Sequence, residues 1–126
     1  MKTDDTHSQV RFLIIGLPRS GTTYLMSLLN SHPQITCAGE IFNPYGIVGV
    51  GEDYTDDQRT LGERERAPRF FSKRYFDELA QSESRAVGYK YMIGHNIRVL
   101  TDLPEQPDLP LIYIHRRNTL APVSSL

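Results

Sequence analysis

"VRFLIIGLPRSGTT", residues 10–23, decides the fold. Its first seven residues are an apolar, β-branched run ending at Gly16, the pattern of a strand buried on both faces of a parallel sheet. A turn of glycine, proline and small hydroxyl residues follows. Next comes "SGTTYLMSLLNSH" (20–32), where Tyr24, Leu25, Leu28 and Leu29 recur at helical spacing until Pro33 stops the run. A strand, a glycine-rich turn and a helix N-terminus form an anion site from backbone geometry. N–H groups converge there, and the helix dipole adds about half a positive charge. Gly16 and Gly21 supply permissive dihedrals, Thr22 and Thr23 supply hydroxyl donors, and Arg19 can grip a tetrahedral oxyanion with two parallel hydrogen bonds. The lysine that nucleoside triphosphatase loops place before their Ser/Thr is missing.

Working outward, the rest of the chain alternates strand and helix. "QITCAG" (34–39) reads as a second short strand, "RFFSKRYFDELAQ" (69–81) as a helix through Phe71, Tyr75 and Leu79, and "RAVGYKYMI" (85–93) as a strand. A short helix is expected near "HNIRVLTDL", a last strand over "DLPLIYIHRR" (108–117), and a final helix from Asn118. This alternation implies an α/β, three-layer fold with a parallel sheet flanked by helices. Residues 1–9 read as a flexible lead and residues 10–126 as one domain. Residues 40–69, with "NPYGIVGVGEDYTDD" and "GERERAPR", read as a solvated surface excursion, or alternatively as a substrate-facing loop. The last helix barely begins before Leu126, so the domain reads as incomplete at its C-terminus, the N-terminal part of something longer.

Composition narrows the functions. The net charge of −1 gives no general attraction to nucleic acid or to an anionic membrane, so anion binding must come from local clusters. One cysteine, Cys37, rules out a disulfide framework and a cysteine metal knuckle. The polar lead reads as neither a signal peptide nor an anchor, and a cytoplasmic protein is expected. Metal-dependent phosphoryl transfer needs an acid at a neighbouring strand end. Here one such strand ends in His115, Arg116 and Arg117 and another carries Lys90. A site that is basic at these positions suits a donor with an additional phosphate.

On these residues "FLIIGLPRSGTTYLMSLLNSHPQITCAGE" resembles the 5′-phosphosulfate-binding region of the sulfotransferases, nearest to the bacterial carbohydrate and tyrosylprotein groups. "LIYIHRRNTLAPVSSL" resembles their 3′-phosphate-binding region. The resemblance implies 3′-phosphoadenosine 5′-phosphosulfate as donor, a hydroxyl or amine of a carbohydrate, small molecule or tyrosine as acceptor, and no metal. It implies that Pro18, Arg19, Ser20, Gly21, Thr22 and Thr23 hold the 5′-phosphosulfate, with Arg19 also catalytic, and that Arg117 and Ser125 clamp the 3′-phosphate. Pro122 lies between those two, so either the helix starts late or Ser125 points elsewhere. Glu40 matches the family's general base, with a surface or capping carboxylate as the alternative; Lys90 is either a ligand contact or an edge lysine. A kinase with a degenerate loop and a non-catalytic nucleotide-binding fragment remain as other readings.

Overall fold

The computed structural model describes residues 9–17 and 21–114. Pro18, Arg19, Ser20, Arg117, Pro122, Ser125 and the expected last helix lie outside the described residues.

β1 (Val10–Gly16), β2 (Ile35–Cys37), β5 (Ala86–Met92) and β6 (Leu111–Ile114) form one parallel sheet in the order β2-β5-β1-β6. α1 (Thr22–Asn30) returns the chain from β1 to β2. A two-stranded antiparallel hairpin, β3 (Ile47–Val48) with β4 (Tyr54–Thr55), and the helices α2 (Gln58–Arg66) and α3 (Pro68–Leu79) lie between β2 and β5. α4 (Ile97–Thr101) and a single 3-10 turn lead to β6.

The alternation of side chains along β1 sorts the core into two layers. Phe12 and Ile14 face one side with Cys37, packed by Leu25, Met26 and Leu29 of α1. Leu13 and Ile15 face the other with Val87, Tyr89 and Tyr91, packed by Phe76 of α3 and Val99 of α4. Leu13 and Ile14 are fully buried, each contributing about 1.5–3 kcal/mol of transfer free energy.

α1 starts later than its spacing predicts, because Gly21 sits ahead of it at φ 92, a left-handed backbone that glycine adopts without strain. Gly16, by contrast, simply ends β1, paired with Met92 and Ile114. Two expectations need correction. Residues 40–69 are not a solvated excursion: Ile41, Phe42 and Ile47 enter the core, and Arg64 is 1% exposed. Lys90 is not an edge lysine, since β5 lies between β1 and β2.

Candidate active site

The site forms where the C-terminal ends of β1, β2 and β5 open, the usual place for ligands in open α/β sheets. Gly21 turns the chain into α1, whose first residues Thr22 and Thr23 carry the hydroxyls of the turn expected to hold an anion. Thr22 is buried and its hydroxyl lies 3.8 Å from the Met92 sulfur, while Thr23 is exposed. β5 brings Lys90 beneath the same helix. Its Nζ donates to Thr23 Oγ1 at 3.3 Å and pairs with Glu40 Oε2 at 3.2 Å, although the residue is only 4% exposed. A buried ammonium needs such partners, because removing it from water unpaired would cost several kcal/mol.

Glu40 lies just past β2. The Lys90 backbone N–H donates to Gly39 O, tying this segment to β5. The carboxylate accepts from Asn43 Nδ2 at 3.1 Å through Oε1, and Asn43 N–H closes the turn onto Glu40 O. His95 follows β5, with Nε2 3.8 Å from Glu40 Oε1. Burial pulls the His95 imidazole below its ordinary pKa; Glu40 opposes this, while Arg64 and Lys90 add to the fall. Its Nδ1 is buried without a hydrogen-bond partner. Thr23, Lys90, Glu40 and His95 therefore form a row leading from the helix N-terminus across the sheet edge.

Arg64 supports this row from below. Its Nη1 donates to the carbonyls of Ile41 at 2.8 Å, Asn43 at 2.9 Å and Gly46 at 3.4 Å, and its Nε pairs with Glu65 at 2.7 Å. The loop that carries Glu40 and Asn43 is thus stapled to α2. Among the described residues Glu40 caps no helix; Asp57 caps α2.

Of the residues singled out from the sequence, Gly21, Thr23, Lys90 and Glu40 come together here, and Thr22 turns inward. Arg64 and Asn43 were not singled out. The "GERER" run reads as solvated charge, and the only hint of burial nearby is the apolar pair Ile41-Phe42 beside Glu40. Among the described residues no group of His, Cys, Asp and Glu side chains is arranged to hold a metal ion, and no helix is long and apolar enough to cross a membrane.

Comparisons with known proteins bear on this arrangement. The model of the Sulfotransferase family matches residues 11–112. Nodulation protein H of Rhizobium meliloti (strain 1021) is 31% identical over 127 residues, covering 95% of this chain and 49% of that protein. Nodulation protein H of Rhizobium tropici is 53% identical over 34 residues, 27% of this chain and 14% of that protein. A second Nodulation protein H, of Rhizobium meliloti, is 29% identical over 127 residues, covering 95% of this chain and 49% of its own length. The chain spans about half the length of the relatives it matches along most of its length. No solved structure matches it significantly.

Proposed function

We propose, because this chain belongs to the sulfotransferase family, that it binds 3′-phosphoadenosine 5′-phosphosulfate and serves transfer of the sulfuryl group to an acceptor hydroxyl. The observation that carries the reading is the buried Lys90, bonded at once to Thr23 of the anion turn and to the Glu40 carboxylate. One cation thereby links the donor site to a carboxylate that can take a proton.

In this reading the donor supplies an activated sulfuryl group whose bond to the phosphate is the one that breaks. The α1 N-terminus, Gly21 and Thr23, together with Pro18, Arg19 and Ser20, hold the 5′-phosphosulfate. Arg117 and Ser125 hold the 3′-phosphate. Lys90 is shared: with an anion in the turn its ammonium would swing from Glu40 Oε2 toward the leaving phosphate, uncovering that oxygen. Glu40 then accepts the proton of the acceptor O–H as its oxygen bonds to sulfur, and the bond electrons leave with the phosphate, where Arg19 and Lys90 balance the charge. Asn43, on Oε1, keeps the carboxylate aimed.

Two measurements test this. Calorimetry should show adenosine 3′,5′-bisphosphate binding in preference to ATP–Mg²⁺; the opposite order would return phosphoryl transfer to first place. Glu40→Gln keeps the shape and removes the basicity, so nucleotide affinity should hold while sulfuryl transfer falls about 10²–10⁴-fold. Transfer within a few-fold of wild type would remove Glu40 from the role of base.

A further inference from the structure

We propose that the cavity between α2 and α3, walled by Arg66, Phe70 and Arg74, is a second ligand site that takes a small aromatic anion: one oxyanion (carboxylate, sulfate or phosphate) carried on a planar ring. It lies apart from the site described above. Gln58, Leu61 and Glu65 turn one face of α2 toward His95, whereas Thr60, Glu63 and Arg66 turn the other face toward this cavity.

Two cations stand in the wall without a carboxylate partner. Among the described residues neither Arg66 nor Arg74 forms an ion pair, although the same two helices make the pairs Arg59–Glu63, Arg64–Glu65, Arg69–Glu105 and Lys73–Asp77. Arg74 has Glu78 one turn ahead of it, at the spacing of an intrahelical pair, yet its guanidinium carbon lies 5.9 Å from the ring centre of Phe70, one turn behind. Its charge is thereby held on the wall of the cavity. Among the described residues Glu63 is the one acid lining it, and Arg59 pairs with that carboxylate at 3.6 Å. The Thr60 hydroxyl donates to Asp57 Oδ2 at 2.7 Å, so the donors left for an anion are the two guanidiniums.

The rest of the wall fixes what carries the anion. Phe70 is 61% exposed, and Ala67 and Phe71 add apolar surface, with Phe71 packed edge-on against Phe42 of the core. Aromatic rings and guanidinium planes both stack on flat π surfaces. At about 330 Å³ the cavity is at the small end of ligand sites, with room for one ring and its substituent. An acidic peptide fits less well. The groove continues past Phe71 and Arg74 into a hollow of about 280 Å³ lined by Asp53 and Glu78. That end is negative: burial first, and then these two carboxylates, push the Tyr75 hydroxyl up to about 12. An extended acidic chain would meet like charge there.

The chain has no tryptophan, so Phe70→Trp puts a single fluorescent reporter in the wall and keeps an aromatic ring there. Titrated with benzoate, phenyl phosphate and phenyl sulfate, its emission should change to saturation with at least one of them. Acetate and inorganic phosphate lack the ring, and benzyl alcohol lacks the charge; each should bind at least about tenfold more weakly, as should a tetra-aspartate peptide. In the same background Arg66→Gln and Arg74→Gln should each weaken the best probe by about tenfold or more, the loss expected of one charge-assisted hydrogen bond. In the unsubstituted chain that probe should shift the NMR signals of the Ala67 and Phe71 amides to saturation, and adenosine 3′,5′-bisphosphate should not displace it. No saturable response to any of the three aryl anions, tighter binding of the peptide, or an affinity indifferent to both arginine substitutions overturns the site. Displacement by the bisphosphate overturns it as well, because the probe would then occupy the donor site.

Discussion

Arg64 carries a charge that has left water altogether, and it stays buried because backbone carbonyls replace the solvent. Three carbonyls from residues 41–46 converge on one guanidinium nitrogen, and the Phe42 ring lies 5.8 Å from the guanidinium carbon. Arg64→Met keeps the apolar stem and removes every donor. It should lower stability by about 1–3 kcal/mol for each buried acceptor left unsatisfied, seen as a lower urea midpoint. Arg64→Lys should recover little, since a single ammonium cannot reproduce the planar fork. Because the stapled loop also carries Asn43, which aims Glu40, transfer should fall in both variants by more than nucleotide affinity does. A midpoint equal to wild type would show that these carbonyls find other donors.

At the scale of elements, β5 organises the site. It lies between β1 and β2, and its α1-facing side carries Gly88, opposite Phe12, and Lys90, opposite Ile14. Gly88 is required by contact: a Cβ there would lie 2.5 Å from the Phe12 ring and 2.6 Å from the Phe12 carbonyl oxygen, and the backbone atom cannot step aside. Gly88→Ala should therefore cost about 1–3 kcal/mol by denaturant unfolding; unchanged stability would mean that the ladder between β1 and β5 spreads without cost. Strands β1 and β5 were legible in the sequence because strands buried on both faces leave continuous apolar runs with sharp ends. Glu40 was singled out because it matches the glutamate that the resembling family places just past its second strand, and the structure sets it beside Lys90 at the open end of the sheet. The burial of Lys90 was not legible, because strand order depends on pairings between segments far apart in the chain. Arg64 was missed because its partners are backbone carbonyls some twenty residues away, which leave no mark in a pattern of side chains. The apolar spacing of α1 was read correctly, but only part of it faces inward: Leu25, Met26 and Leu29 pack on the sheet, while Tyr24 and Leu28 are exposed.

For the whole molecule, Cys37 is a built-in reporter. It lies between the sheet and α1 at 1% exposure, and burial raises its thiol from 9.0 to about 12. At pH 8 a thiol reagent should label the native protein at least about 10³-fold more slowly than the urea-unfolded chain, the margin expected if labelling needs cooperative opening of a domain stable by 5 kcal/mol or more. Labelling well ahead of that rate would mean that α1 lifts away from the sheet on its own. The position of β5 also governs timing. β2 makes no ladder with β1; both pair with β5, and residues 38–85 intervene before β5 begins. A nascent polypeptide leaving the ribosome carries the anion turn and Glu40 before any of β5 has emerged, yet has nothing to set one beside the other. Closing so long a loop comes late in assembly. The two halves of the site are thus made early and joined only when the segment ending at Met92 slides between them, so competence arrives in one step with the closing of the sheet.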